Sequence, residues 1–69
     1  MQTIIKEYRV EKSRIGFIRF IFEAHEGVAV VTTLDPKTGH IKLTIAPDRL
    51  ETASKIVQDL NKDFTFEPL

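Results

Sequence analysis

Residues 14–25 read Arg-Ile-Gly-Phe-Ile-Arg-Phe-Ile-Phe-Glu-Ala-His, the most apolar run in the chain. On a helical wheel at roughly 100° per residue, the polar positions Gly16, Arg19, Glu23 and Glu26 crowd into one narrow sector. Ile15, Phe17, Ile18, Phe20, Ile21, Phe22 and Ala24 take most of the remaining circumference. A helix packed once, against one sheet, needs an apolar arc of only about 100° or a little more, and this one shows roughly twice that. The segment therefore predicts a helix with a second neighbour beyond its own sheet.

The rest of the chain limits what that neighbour can be. Its 69 residues make one small domain, a size at which burial is modest and stability marginal without staples or assembly. It has no cysteine, which excludes disulfides and thiolate metal sites and gives no sign of an oxidising compartment. Ten Lys and Arg balance ten Asp and Glu. A neutral chain lacks the basic excess needed to neutralise several phosphates, so nucleic acid is not expected as a partner. The opening Met-Gln-Thr-Ile-Ile-Lys-Glu turns charged too early for a signal peptide. No apolar run reaches the length of a membrane span. A cytoplasmic protein without a membrane partner is the expectation.

In chain order, residues 3–10 alternate and read as a strand, with Ile4, Lys6, Tyr8 and Val10 expected inward and Lys6 snorkelling out. Residues 11–12 connect, and Ser13 is the expected N-cap of the apolar helix. Gly16 inside that helix is either a point of close approach or a tolerated cost of about 1 kcal/mol. Gly27 stands where a helix C-terminal glycine belongs, with His25 in the last turn. Residues 28–34, β-branched nearly throughout, form a strand. Asp35-Pro36-Lys37-Thr38-Gly39 forms a turn, and residues 40–46 return with Ile41, Leu43 and Ile45 on one face. Pro47 stops that strand. Asp48 and Glu51 have the spacing of a capping box, and a second helix follows to about Asn61. Residues 64–67 alternate as a last strand, ended by Pro68.

The order β-α-β-β-α-β predicts an α+β, ferredoxin-like fold in a single domain over residues 1–69. Right-handed crossovers place both helices on one face of a four-stranded antiparallel sheet, with the first and third strands central. The open face would then show Ile5, Glu7, Arg9, Lys42, Thr44, Thr65 and Glu67. An RNA-reading sheet carries stacking aromatics on its central strands, and these positions hold none. Cross-strand ion pairs are expected there instead.

Candidate chemistry is sparse. His25 and His40 are the natural acid-base or metal candidates, but they fall at opposite ends of the hairpin strand, about 20 Å apart at about 3.3 Å per residue. They cannot share a metal or a proton. No nucleophile-base pair, phosphate-binding glycine loop or metal-ligand spacing appears. No catalytic residue, metal or cofactor is expected. The phenylalanines of the first helix have two readings. Either all are core, some meeting the second helix, or Phe17 and Phe20 bury against another copy, since leaving them bare forfeits about 2 kcal/mol each. A two-fold homodimer through Phe17, Phe20, Ile21 and Ala24 is the expectation. The alternative is an adaptor that docks the same face on a different protein.

Residues 17–29 and 31–36, Phe-Ile-Arg-Phe-Ile-Phe-Glu-Ala-His-Glu-Gly-Val-Ala and Val-Thr-Thr-Leu-Asp-Pro, resemble a family of short bacterial proteins of unknown function. The motif is made of packing and turn residues, so the resemblance implies a fold and no chemistry. The wider topology is similar to that of ACT domains, modules that bind amino acids or other effectors between paired copies. That similarity implies a small-molecule effector near Glu11, Ser13, Arg14 and Gly16, where an acidic residue and a glycine follow the first strand without the usual Pro-Gly spacing. The expected function is a non-catalytic, homodimeric binding or regulatory module.

Overall fold

The structure, a computed structural model, describes residues 2–69. Four strands, β1 (Ile4–Val10), β2 (Ala29–Asp35), β3 (His40–Ile45) and β4 (Phe66–Pro68), form one antiparallel sheet in the order β2-β3-β1-β4. Helices α1 (Ile15–Ala24) and α2 (Leu50–Asn61) make the two crossovers. This is the ferredoxin-like α+β arrangement, with β1 and β3 in the centre.

The alternation of β1 and β3 fixes the core. Tyr8 lies opposite Ile41, Lys6 opposite Leu43 and Ile4 opposite Ile45. Paired residues share a face, so this register sets Ile4, Tyr8 and Val10 with Ile41, Leu43 and Ile45 beneath the helices. The last five are buried and Ile4 partly so. Lys6, in the same row, is exposed, as expected of a side chain that reaches out from the sheet end. Ile18 and Phe22 of α1, and Ala53, Ile56 and Leu60 of α2, close the core from above. Tyr8 and Phe66 meet edge to face, with ring centroids 4.9 Å apart.

Both helices are entered differently from expectation. Ser13 does not cap α1; its Oγ donates to Glu11 Oε2 at 2.9 Å. A 3₁₀ turn over Lys12–Arg14 leads into the helix, and Arg14 N–H bonds to the Glu11 carbonyl at 2.9 Å. A second 3₁₀ turn, Pro47–Arg49, leads into α2 with Arg49 N–H on the Ala46 carbonyl, and no capping box forms at Asp48 and Glu51. In each case a tighter backbone turn satisfies an amide that a side chain would otherwise cap.

The hairpin turn works as its sequence implies. Lys37 N–H donates to Asp35 Oδ1 at 3.0 Å, and Gly39 adopts φ +78°. A Cβ at Gly39 would sit 1.9 Å from the Val10 carbonyl oxygen, because Val10 N–H donates to the Gly39 carbonyl at 2.8 Å and holds the strands together there. Leu34 is an extra residue in β2, since the register shifts between Thr33 and Asp35.

The last strand also differs from expectation. It starts at Phe66 rather than residue 64, and Pro68 lies within it, opposite Tyr8. Pairing continues past the proline, with Leu69 N–H on the Glu7 carbonyl at 3.0 Å. Tyr8 and Pro68 therefore form a pair without hydrogen bonds in the antiparallel ladder. The nitrogen that lacks a proton faces away from β1, which is why an edge strand accepts it.

Two stability measurements follow. Gly39→Ala combines a positive φ with a backbone clash and is expected to cost about 3 kcal/mol or more, or to abolish folding, as read from the urea midpoint. Burial raises the Tyr8 phenol above its ordinary value of 10.0. The folded chain therefore keeps a proton that the unfolded chain has lost. This contribution is whole below that ordinary value and drains away as pH climbs through the raised one. Urea midpoints should fall on that alkaline limb for the native chain and show a shallower fall for Tyr8→Phe.

Candidate functional site

Three of the residues expected near an effector meet in one turn. The Glu11 carboxylate accepts from Ser13 Oγ and lies 3.4 Å from Arg14 Nε. The Arg14 guanidinium also stands over the Phe64 ring, 5.9 Å from its centroid, within reach of a cation–π contact. Gly16 begins the next turn and has nothing within 4 Å of where a Cβ would point. It is not a close-approach point within this chain. Two surface hollows among the described residues lie elsewhere. One of about 460 Å³ is lined by Ile5, Lys6, Glu7, Tyr8, Pro68 and Leu69, where β1 runs on beyond β4. Another of about 280 Å³ lies by Thr3, Val28, Val30, Thr44 and Ala46. Neither is lined by Glu11, Ser13, Arg14 or Gly16.

The outer face of α1 is bare. Phe20 is 64% exposed and Phe17 44%. Phe17 finds one partner, Phe64, edge to face at 6.3 Å. Phe64 lies beyond α2, so this contact is not with the second helix that the all-core reading names, and neither Phe17 nor Phe20 belongs to the buried core. Ile21 is half-buried and Ala24 exposed. Gly16, Phe20 and Ala24 follow one another at steps of four residues, so they share one ridge of the helix. Phe20 stands on that ridge between two small residues. Arg19 and Glu23 form an i,i+4 ion pair on the adjoining flank.

On the open sheet face His40 is more than a solvated residue. Its Nε2 lies 2.6 Å from Glu7 Oε1, on the diagonal between two cross-strand pairs, Arg9 with His40 and Glu7 with Lys42. The pair is partly exposed, 31% at His40 and 47% at Glu7, so it holds strands in register at little net energy. It is the one contact between an acidic and a basic side chain recorded on that face among the described residues. His25 closes α1 as its C-cap, with its N–H on the Phe22 carbonyl. The described residues contain no cluster of three or more His, Cys, Asp or Glu placed to hold a metal.

The β2 edge is a feature that periodicity alone does not reveal. Val30, 64% exposed, and half-buried Thr32 lie opposite Thr44 and Lys42, so they extend the open face beyond the residues expected there. A signal was present in the sequence: residues 28–34 carry no charge and no proline, yet topology puts them at an edge.

No helix among the described residues is long and apolar enough to cross a membrane. No curated protein and no solved structure matches the chain. The family profile for a domain of unknown function (DUF4911) matches residues 8–63, from the middle of β1 to the end of the turn after α2. That span takes in the apolar helix, the hairpin and both crossovers, and by it the chain belongs to the DUF4911 family.

Proposed function

We propose that this protein is a non-catalytic binding or regulatory module that works as a homodimer in the cytoplasm. The observation that carries the reading is Phe20, 64% exposed between Gly16 and Ala24 on the outer ridge of α1. Bare aromatic surface in a domain this small is a large fraction of its stability margin. A second copy running antiparallel across α1 supplies the matching relief. Each Phe20 enters the open space over the other helix's Gly16 or Ala24, as small residues let two helices approach closely. The contact is isologous, so it closes on itself at two chains. Phe17 and Ile21 line its border.

The effector-sensing part of this reading rests on the resemblance to ACT modules and on the turn that gathers Glu11, Ser13 and Arg14 beside Gly16. A small anion or zwitterion would compete with Glu11 for Arg14 and Ser13. In this reading the ligand binds at the surface of that turn and the second chain completes the site.

Light scattering at micromolar concentration is the direct test. The native chain should show at least twice 7.9 kDa, and Phe20→Glu should lower that mass while keeping its circular dichroism, because residue 20 faces away from the core. A native chain of single mass that recovers one stoichiometric foreign protein would instead favour an adaptor docking through the same face. For the effector, thermal shift against free amino acids and nucleotides is expected to raise Tm for the native chain and not for Arg14→Ala. A panel without any shift would remove that part of the reading.

A further inference from the structure

The two edges of the sheet are treated in opposite ways. At β4 the outward-facing backbone nitrogens are those of Phe66 and Pro68. Asn61 Oδ1, reaching over from the end of α2, accepts from Phe66 N–H at 3.2 Å, and Pro68 has no N–H to offer. That edge is short, carries Glu67 and presents no free donor from Phe66 to Pro68. Natural sheets blunt their edges in this way against pairing with another chain.

At β2 nothing of the kind is present. Ala46 N–H bonds to the Val28 carbonyl, and the antiparallel ladder alternates. Val30 and Thr32 therefore bond inward to β3, while Ala29, Val31 and Thr33 turn their N–H and C=O groups away from the sheet. Among the described residues none of these outward groups has a recorded backbone or side-chain partner. The stretch is uncharged, β-branched and lacks proline. Regular pairing ends at Gly27, with φ +77°, on one side and at the bulge about Leu34 on the other. Its centre is Val31.

The geometry points to β2 as a second self-association surface, where another copy of this chain adds its own β2 antiparallel to form a continuous eight-stranded sheet. The register follows from the window. With the two-fold axis at Val31, that residue faces the partner's Val31, and Ala29 faces the partner's Thr33, each pair exchanging both backbone bonds. On the open face Val30 comes opposite the partner's Thr32 in a pair without hydrogen bonds, with Cα atoms about 4.5 Å apart. Residues 29–33 carry no charge, so no like charges meet within that window. The flank of α1 away from Phe64 carries the Arg19–Glu23 pair, one charge of each sign. This axis stands normal to the sheet, and the helix-face contact proposed above lies in a different layer. The edge contact goes beyond that reading and holds or fails without it.

The test uses a chain that has no native cysteine. In Val30→Cys/Thr32→Cys, mild oxidation should convert most of the protein to a covalent dimer on non-reducing gels, since the proposed Cα separation suits a disulfide. Either single variant should stay uncrosslinked, because neither residue faces itself across the axis. Val30→Glu/Thr32→Glu places like charges opposite each other and should reduce the mass in solution at least twofold relative to Val30→Lys/Thr32→Glu, which places opposite ones there. Both positions lie on the open face, so circular dichroism should be native-like in all five variants. Crosslinking by a single variant, no crosslinking by the double one, or equal masses for the two charge variants would overturn the edge contact. Phe20→Glu separates the two surfaces: if that chain still crosslinks through residues 30 and 32, the edge acts independently, while an unchanged mass for Phe20→Glu counts only against the helix face.

Discussion

The pairing of β1 with β3 is the constraint from which the remaining geometry follows. These strands are central, and their register sets Tyr8 against Ile41 and Ile4 against Ile45. A shift of one residue would turn Ile41, Leu43 and Ile45 to the open face and bring Lys42 and Thr44 under the helices. The Gly39 carbonyl locks that register at its turn end by accepting from Val10 N–H, at a position where no side chain fits. Once β3 is phased against β1, the phases of β2 and β4 follow by alternation. So do the directions in which their unpaired amides face.

That chain of consequences explains why the two edges differ. Pro68 is harmless in β4 because its phase puts the missing proton outside, and Asn61 is near enough to hold the other outward amide. In β2 the same alternation leaves Ala29, Val31 and Thr33 facing out with no partner among the described residues. Edge protection is thus decided by register and by where α2 ends. The helix layer adds a second unsatisfied surface, since α1 buries Ile18 and Phe22 completely and still has Phe20 on its far side. A domain this small gains much from covering either one.

Much of the fold was legible in the sequence. Period-2 alternation identified the inward face of both central strands, Asp-Pro-Lys-Thr-Gly marked the hairpin, and the order of elements led to the sheet order. The ends of elements were less legible. Ser13 and Asp48 look like caps, but each helix begins through a 3₁₀ turn whose backbone bonds leave a side-chain cap without a task. Phe64 reads as strand by alternation, yet it packs under Arg14 and Phe17, and the strand starts two residues later. That Glu11, Ser13 and Arg14 meet in one turn was legible because they lie close together in the chain. The Glu7–His40 contact was not, as its partners are joined only by the β1–β3 register.

By itself the sequence determined the number and order of elements, the faces they bury and the apolar excess of α1. Side-chain periodicity and turn chemistry are local properties, and they act before any long-range contact forms. Tertiary structure alone decided which backbone groups lie free, that Phe17 meets Phe64 while Phe20 does not, and that Asn61 guards one edge of the sheet while the other stands open. Those outcomes depend on relative placement of elements distant in sequence, which only the packed core fixes.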